Sequence, residues 1–230
     1  AHLDLGHVGI FHGLAEQAGL DGAAEARLFD ALQRKAEPEV RELLDEWQVA
    51  AAPRDMLLAL VELNGGVEIL DQAGERLSRG NATVQAALKD LWGIASALER
   101  RQPKVPMHFD LAELRGYRYH TGPVFAVFVA GHGEDVARGG RYDEIGAVFG
   151  RSRPATGFSA DLRTLADLGG LQADTAASGI LVAWSDEPAV LAHVVDLRAQ
   201  GERVIWGLPG QQADAAQLGC NRRLVQGESG

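Results

Sequence analysis

The chain has 230 residues, 46% hydrophobic and 23% charged, with a formal charge of -10. That length allows one to two domains with a real core, and the acidic balance argues against an extended nucleic-acid surface, which needs clustered Lys and Arg. The single cysteine, Cys220, excludes an internal disulfide and a cysteine-based zinc site and fits a reducing cytoplasm, and no apolar run approaches the ~20 residues of a membrane span.

LDLGHVGI, residues 3 to 10, alternates Leu3 and Leu5 with Asp4 and reads as a half-buried strand. Helical patterns follow. Between Glu25 and Ala36, Leu28, Phe29 and Leu32 share one helical face. EPEVRELLDEWQ, residues 37 to 48, places Pro38 and its acids in a first turn. Pro53 stands just ahead of MLLALVELNGG, which Gly65 and Gly66 should stop. From Asn81 onward, Val84, Leu88, Leu91, Ala95 and Leu98 form an apolar stripe, with Asn81 or Thr83 as its cap. Such stripes read as core rather than as cofactor contacts.

After RRQPKVP, residues 100 to 106, the pattern turns to strands. MHFDLAEL, YRYHTGPVFAVFVAG and EDVARGGRYD read as antiparallel neighbours joined by short turns, with GHGED at 131 to 135 as a hairpin turn. Phe158 to Leu168 reads as a strand passing into a helix. GGLQADTAAS, residues 169 to 178, is a linker by composition. Beyond it, GILVAW, EPAVLAHVVDLRAQGE and RVIWGLPG follow the strand–helix–strand order of a βαβ unit.

Two segments hold the candidate chemistry. In RGYRYHTG, strand alternation would place Tyr117 and Tyr119 on one face and Arg118 and His120 on the other. Taken alone, that segment reads as a solvated strand with cross-strand aromatic packing rather than as a ligand site. RGGRYD, with Arg138, Gly139, Gly140, Arg141 and Tyr142, lacks a dinucleotide or Walker pattern, and its glycines mark either a bulge or a ligand approaching the backbone. The seven histidines are scattered and none shows His-Glu-x-x-His spacing, so neither a metal nor a cofactor is expected. No Gly-x-Ser-x-Gly nucleophile occurs.

Taken in order, RGYRYHTGPVF and ARGGRYDEIGAVFG…PATGFSADL resemble the second half of the catalytic core of class II histidyl-tRNA synthetases. In that family an Arg-Gly…Tyr-Tyr-Thr segment and a Gly-Gly-Arg-Tyr-Asp segment line the histidine pocket, and a Gly-Phe helix entry forms motif 3. The resemblance covers residues 1 to 168. It implies an α+β fold: an antiparallel class II synthetase-like sheet with flanking helices and a helical insertion at about 12–104. A linker at 169–178 and an incomplete small α/β domain at 179–230 would follow. The synthetase motifs 1 and 2 do not occur in the chain, so the resemblance implies a partial core.

The departures bear on activity. The family's motif-3 Glu-Arg is Arg163-Thr164 here, and an arginine one position early on a helix is rotated by about 100°. The pocket's Asp-Tyr-Tyr reads Arg118, Tyr119, His120, which reverses the first charge. ATP-dependent activation needs cations aimed at the developing phosphate charge. The chain is most similar to the synthetase paralogues that serve as ATP phosphoribosyltransferase regulatory subunits. That resemblance implies a non-catalytic subunit required by a short-form catalytic subunit and taking part in feedback inhibition by histidine. It also implies a homodimeric core within a hetero-oligomer. By the same resemblance Arg115, Tyr119, His120, Gly139, Gly140, Arg141 and Tyr142 would form the histidine site. An active synthetase-like enzyme, or a stand-alone amino-acid-binding module, remains open on the residues alone.

Overall fold

A computed structural model describes residues 1–112, 116, 119–144, 146, 150–169, 179–210 and 214–225. The chain divides into two compact units, one of Ala1–Glu99 with Pro103–Gly169, the other of Arg100–Gln102 with Gly170–Gly230.

The first unit opens with β1 (His2–His7), which runs directly into α1 (Val8–Gln17). His7 makes the junction: its Nδ1 accepts the Gly9 backbone N–H at 3.0 Å and caps the helix. Helices α2 (Gly22–Gln33), α3 (Glu37–Glu46), α4 (Ala51–Ala59), α5 (Ile69–Arg76) and α6 (Ala82–Arg101) follow. Pro53 sits within the first turn of α4 rather than ahead of it, where its missing N–H costs nothing. The Gly65 expected to stop the helix belongs instead to a two-residue strand, β2 (Asn64–Gly65). Asn81 caps α6: its Oδ1 accepts the Val84 N–H at 3.1 Å, and its Nδ2 donates to the Gly13 carbonyl at 2.9 Å, tying α6 to α1.

The apolar stripes converge as their spacing requires. Phe11 and Leu14 of α1, Leu28 and Leu32 of α2, Leu44 of α3 and Leu91 of α6 are wholly buried with Phe109. Each such side chain contributes roughly 1.5–3 kcal/mol.

The remaining strands are β3 (Met107–Asp110), β4 (Pro123–Phe128), β5 (Ala137–Arg141) and β6 (Thr156–Ala160), the last followed by α7 (Leu162–Gly169). The sheet order is β2-β3-β1-β4-β5-β6. The expected antiparallel neighbours β3 and β4 are not paired, because β1 lies between them. β1 runs parallel to β3 and antiparallel to β4. A parallel pair needs a long crossover, and α1–α6 supply it, so the helical insertion and this one parallel pair are the same fact. The loop from β4 to β5 spans residues 129 to 136 and is longer than the expected hairpin turn.

Paired residues in a sheet project to the same face, and successive residues along a strand to opposite faces. Leu3, Leu5 and Phe125 face the helices with Ile94 and Leu98 of α6. The row His108–Asp4–Ala126–Arg138–Ser159 crosses the other, open face through the registers of β3, β1, β4, β5 and β6.

In the second unit β7 (Ile180–Val182), α8 (Pro188–Ala199) and β8 (Val204–Trp206) form the βαβ unit, with β7 and β8 parallel. A third strand, β9 (Arg222–Leu224), pairs in parallel on the other side of β7. Ile180, Val182, Val194 and Val204 make its small core.

Candidate functional site

The open face of the first unit holds a cavity of about 220 Å³, bordered by Asp4, Tyr119, His120, Ala126, Arg138 and Tyr142 among others. Glycines make room for its rings. A Cβ on Gly140 would stand 2.8 Å and 2.9 Å from His120 Cδ2 and Nε2, and 2.7 Å from the Pro123 carbonyl oxygen. A Cβ on Gly157, the partner of Gly140 in β6, would collide with the Tyr142 hydroxyl. Gly116 has a φ of +71°, and a Cβ there would lie 2.6 Å from the Tyr119 hydroxyl and 2.8 Å from His120 Nδ1. The rings of Tyr119 and His120 are 4.5 Å apart, and His120 and Tyr142 are 6.2 Å apart. A small flat ring could join this aromatic cluster at stacking or hydrogen-bonding range.

Tyr119 and His120 are not on a strand with opposite-facing side chains. Their backbone N–H groups both donate to the Gly116 carbonyl at 3.0 Å, closing a turn that carries both rings to the same cavity. Tyr119 is 56% exposed, at the rim. Gly139 borders the cavity, but a Cβ there would point to the helix side, against the Gly157 carbonyl, Phe158 and Phe125. Arg115 lies outside the described residues, as do Tyr117 and Arg118.

Arg141 projects from the opposite face of the sheet. It borders the helix-side hollow with Leu3 and Leu5, and its Nε pairs with both Asp143 oxygens at 2.8 and 3.0 Å. Asp143 also accepts the Ala155 N–H at 3.1 Å, and its own N–H donates to Thr121 Oγ1 at 3.0 Å. This network locks the turn that presents Tyr142. The arginine on the cavity side is Arg138, held by Asp135 at 2.9 Å. Strand parity was the available signal, since 138, 140 and 142 share a face and 141 does not.

Asp4 is a cavity-lining carboxylate that the motif comparison missed. Its Oδ1 is buried and accepts no hydrogen bond among the described residues. The nearest imidazole nitrogens, His2 Nε2 and His108 Nδ1, lie 3.5 and 3.6 Å away.

The motif-3 position shows a capped helix start. Asp161 Oδ1 accepts the N–H groups of Arg163 and Thr164 at 2.9 and 3.1 Å. The hydrogen bond from Thr164 is the largest of the effects that hold the Asp161 carboxyl below the usual carboxylate range. Among the described residues no group of three His, Cys, Asp or Glu side chains is placed to hold a metal ion, and no helix is long and apolar enough to cross a membrane.

The histidyl-tRNA synthetase family model matches residues 1–165. The chain belongs to that family. Residues 177–230 match the C-terminal domain of the ATP phosphoribosyltransferase subunit HisZ. A curated relative from Alkalilimnicola ehrlichii, named ATP phosphoribosyltransferase regulatory subunit, is 59% identical over 230 residues, 100% of this chain and 57% of the relative. The chain therefore spans little more than half the length of such relatives.

Among solved structures, one from Bacillus halodurans C described as an ATP phosphoribosyltransferase regulatory subunit/histidyl-tRNA synthetase superposes with a TM-score of 0.63 at 24% identity. It covers 97% of this chain and 58% of that one. The ATP phosphoribosyl transferase (HisG:HisZ) complex from Thermotoga maritima matches with a TM-score of 0.52 at 18% identity, over 69% of this chain and 52% of that one. At those identities the superpositions establish the fold alone, α+β and class II synthetase-like.

Proposed function

We propose that this chain is part of a non-catalytic regulatory subunit of ATP phosphoribosyltransferase, acting in the first step of histidine biosynthesis in the cytoplasm. Its partner is the short-form catalytic subunit, and the cavity on the open sheet face is its histidine sensor. The observation that carries this reading is the match of residues 177–230 to the HisZ C-terminal domain, behind a synthetase-like core. The match of the fold to a HisG:HisZ complex supports the partner. Arg163-Thr164 stands where the synthetases carry Glu-Arg, which supports loss of amino-acid activation.

In the sensor, the ligand imidazole sits among Tyr119, His120 and Tyr142, where the missing Cβ of Gly140 makes room for the His120 ring. Arg141 orients Tyr142 through Asp143. Histidine regulates by binding one assembly state better than another, with a coupling of about 1–3 kcal/mol.

The test is to add the intact regulatory protein to the short catalytic subunit and follow phosphoribosyl transfer with and without L-histidine. Stimulation by the protein and inhibition by histidine are expected. Histidine-dependent ATP–pyrophosphate exchange by the protein alone would overturn the reading in favour of an active synthetase-like enzyme. Histidine binding without any effect on the catalytic subunit would favour a stand-alone amino-acid-binding module.

A further inference from the structure

We propose that the cavity at the carboxyl ends of β7 and β9, in the second unit, binds a small ligand with a flat aromatic ring and an anionic group, the class of nucleoside monophosphates. This site stands whether or not the first unit senses histidine.

Topology puts the cavity there. β7 pairs in parallel with β8 on one side and with β9 on the other, so the first strand of the unit lies between the second and the third. The chain leaves β7 through α8 toward β8 and returns to the far side of β7 as β9. Where strand order reverses in this way, the connections part at the carboxyl ends and leave a crevice, and open parallel sheets take their ligands in such crevices. A cavity of about 720 Å³ lies at that place, bordered by Val182 and Trp184 at the end of β7, Leu224 at the end of β9 and Val190 in the first turn of α8. That volume is in the range of small-molecule sites.

Trp184 supplies the ring platform. It borders the cavity and is 43% exposed. Its ring is held by residues that do not border the cavity. The guanidinium of Arg101, which belongs to the same unit, lies 3.8 Å from the ring centroid, and Trp206 packs edge-on at 6.4 Å. Arg101 is itself fixed by Asp186 at 2.8 Å and by the Ser185 carbonyl at 3.2 Å. An indole braced in this way and left partly uncovered stacks a planar ring at little cost in ordering.

The anion follows from charge. α8 starts with Pro188 and has no side-chain cap. The N–H groups of Ala189 and Val190 therefore lack the partner that a preceding turn would supply, and both residues border the cavity. Arg223 borders it from β9 and Glu187 from the start of α8. Their charges offset each other, and the positive end of the α8 dipole tips the balance toward an anion. Only residues 185–188 separate Trp184 from Ala189, so the platform and the helix start are neighbours. A phosphate against Ala189 and Val190, with its ring against Trp184, uses both at once.

The test is calorimetric titration of the intact protein with adenosine 5′-monophosphate, with adenosine, which lacks the anion, and with ribose 5-phosphate, which lacks the ring. In the unmodified protein each truncated ligand should bind at least ~10-fold more weakly than the monophosphate, the scale of one stacked base or one charged hydrogen bond. Trp184→Leu should weaken the monophosphate and adenosine by about that factor and leave ribose 5-phosphate unchanged. Ala189→Asp sets a carboxylate at the helix start, where it favours the helix and repels an anion. It should weaken the monophosphate and ribose 5-phosphate and leave adenosine unchanged. Monophosphate binding that neither variant weakens, or an equal loss of all three ligands in either variant, overturns the site. No binding of the monophosphate by the unmodified protein overturns it as well, even if a single-stranded oligoribonucleotide binds. If Trp184→Leu fails to fold, the ligand series and Ala189→Asp still decide, since equal binding of all three ligands by the unmodified protein contradicts the ring-and-anion site directly.

Discussion

Replacing Gly140 with alanine tests the close packing of β5 against His120 and β4. The new Cβ would stand 2.7 Å from the Pro123 carbonyl oxygen and 2.8 Å from His120 Cδ2, well inside the roughly 3.5–4.0 Å of a relaxed carbon contact. His120 can swing away, but the Pro123 oxygen belongs to β4, whose next residue Val124 is paired with Gly140 itself. The ladder must open or the strand must shift, at about 1–3 kcal/mol. For a chain of this size that is a fall of roughly 2–12 °C in Tm, at about 2–4 °C per kcal/mol. The displaced imidazole should also weaken L-histidine binding, measured by calorimetry beside a urea melt. Gly139→Ala is the comparison, because its Cβ strikes Phe158 at 2.7 Å and Phe125 at 2.9 Å on the opposite face. It should destabilise the fold without moving His120, so histidine affinity at a temperature where the protein is folded should hold. Wild-type stability and affinity in Gly140→Ala would refute the close-approach reasoning. Equal loss of affinity in both variants would refute the assignment of faces.

Two further outcomes concern the helical insertion. Asn81→Ala removes both the α6 cap and its bond to the Gly13 carbonyl, and should cost about 1–2 kcal/mol in urea denaturation; Thr83→Ala, beside it, should cost less. Burial is the larger effect on His7 and lowers its pKa, against the attraction of Asp90 at 3.6 Å, which raises it. The folded protein thus favours neutral His7, and the unfolded chain takes up the proton first, near pH 6.5. Below that pH the unfolded state binds more protons, so this contribution to stability is full above about 6.5 and is lost as pH falls toward the folded pKa. His7→Asn keeps a capping side chain for Gly9, and its stability should fall less between pH 6.5 and 5 than that of the unmodified protein in parallel melts.

Much of the architecture is legible in the sequence. Periodicity marked α2 and α6, because amphipathic spacing records which side of an element meets the core; Pro38 and its first-turn acids marked α3, and the strand–helix–strand order marked the second unit. The short β2 and α5 left no comparable signal, and β3 was misassigned as a neighbour of β4. Its parallel pairing with β1 depends on where a hundred-residue excursion returns, and local spacing carries no information about that.

For the site, the RGYRYHTG and GGRYD motifs pointed to Tyr119, His120, Gly139 and Tyr142, which border one cavity, and to Gly140, which packs against His120. Motif matching could not tell Arg138 from Arg141, since both flank the glycines and differ only in strand parity. Nor could it find Asp4, whose link to Arg138 runs through two strand registers and 134 positions of sequence. Element type, family and motif neighbourhood are local properties of the chain and could be read from it. Which arginine faces the cavity, and which carboxylate stands opposite it, are set by hydrogen-bond register between distant strands, and a slip of one residue would reverse both.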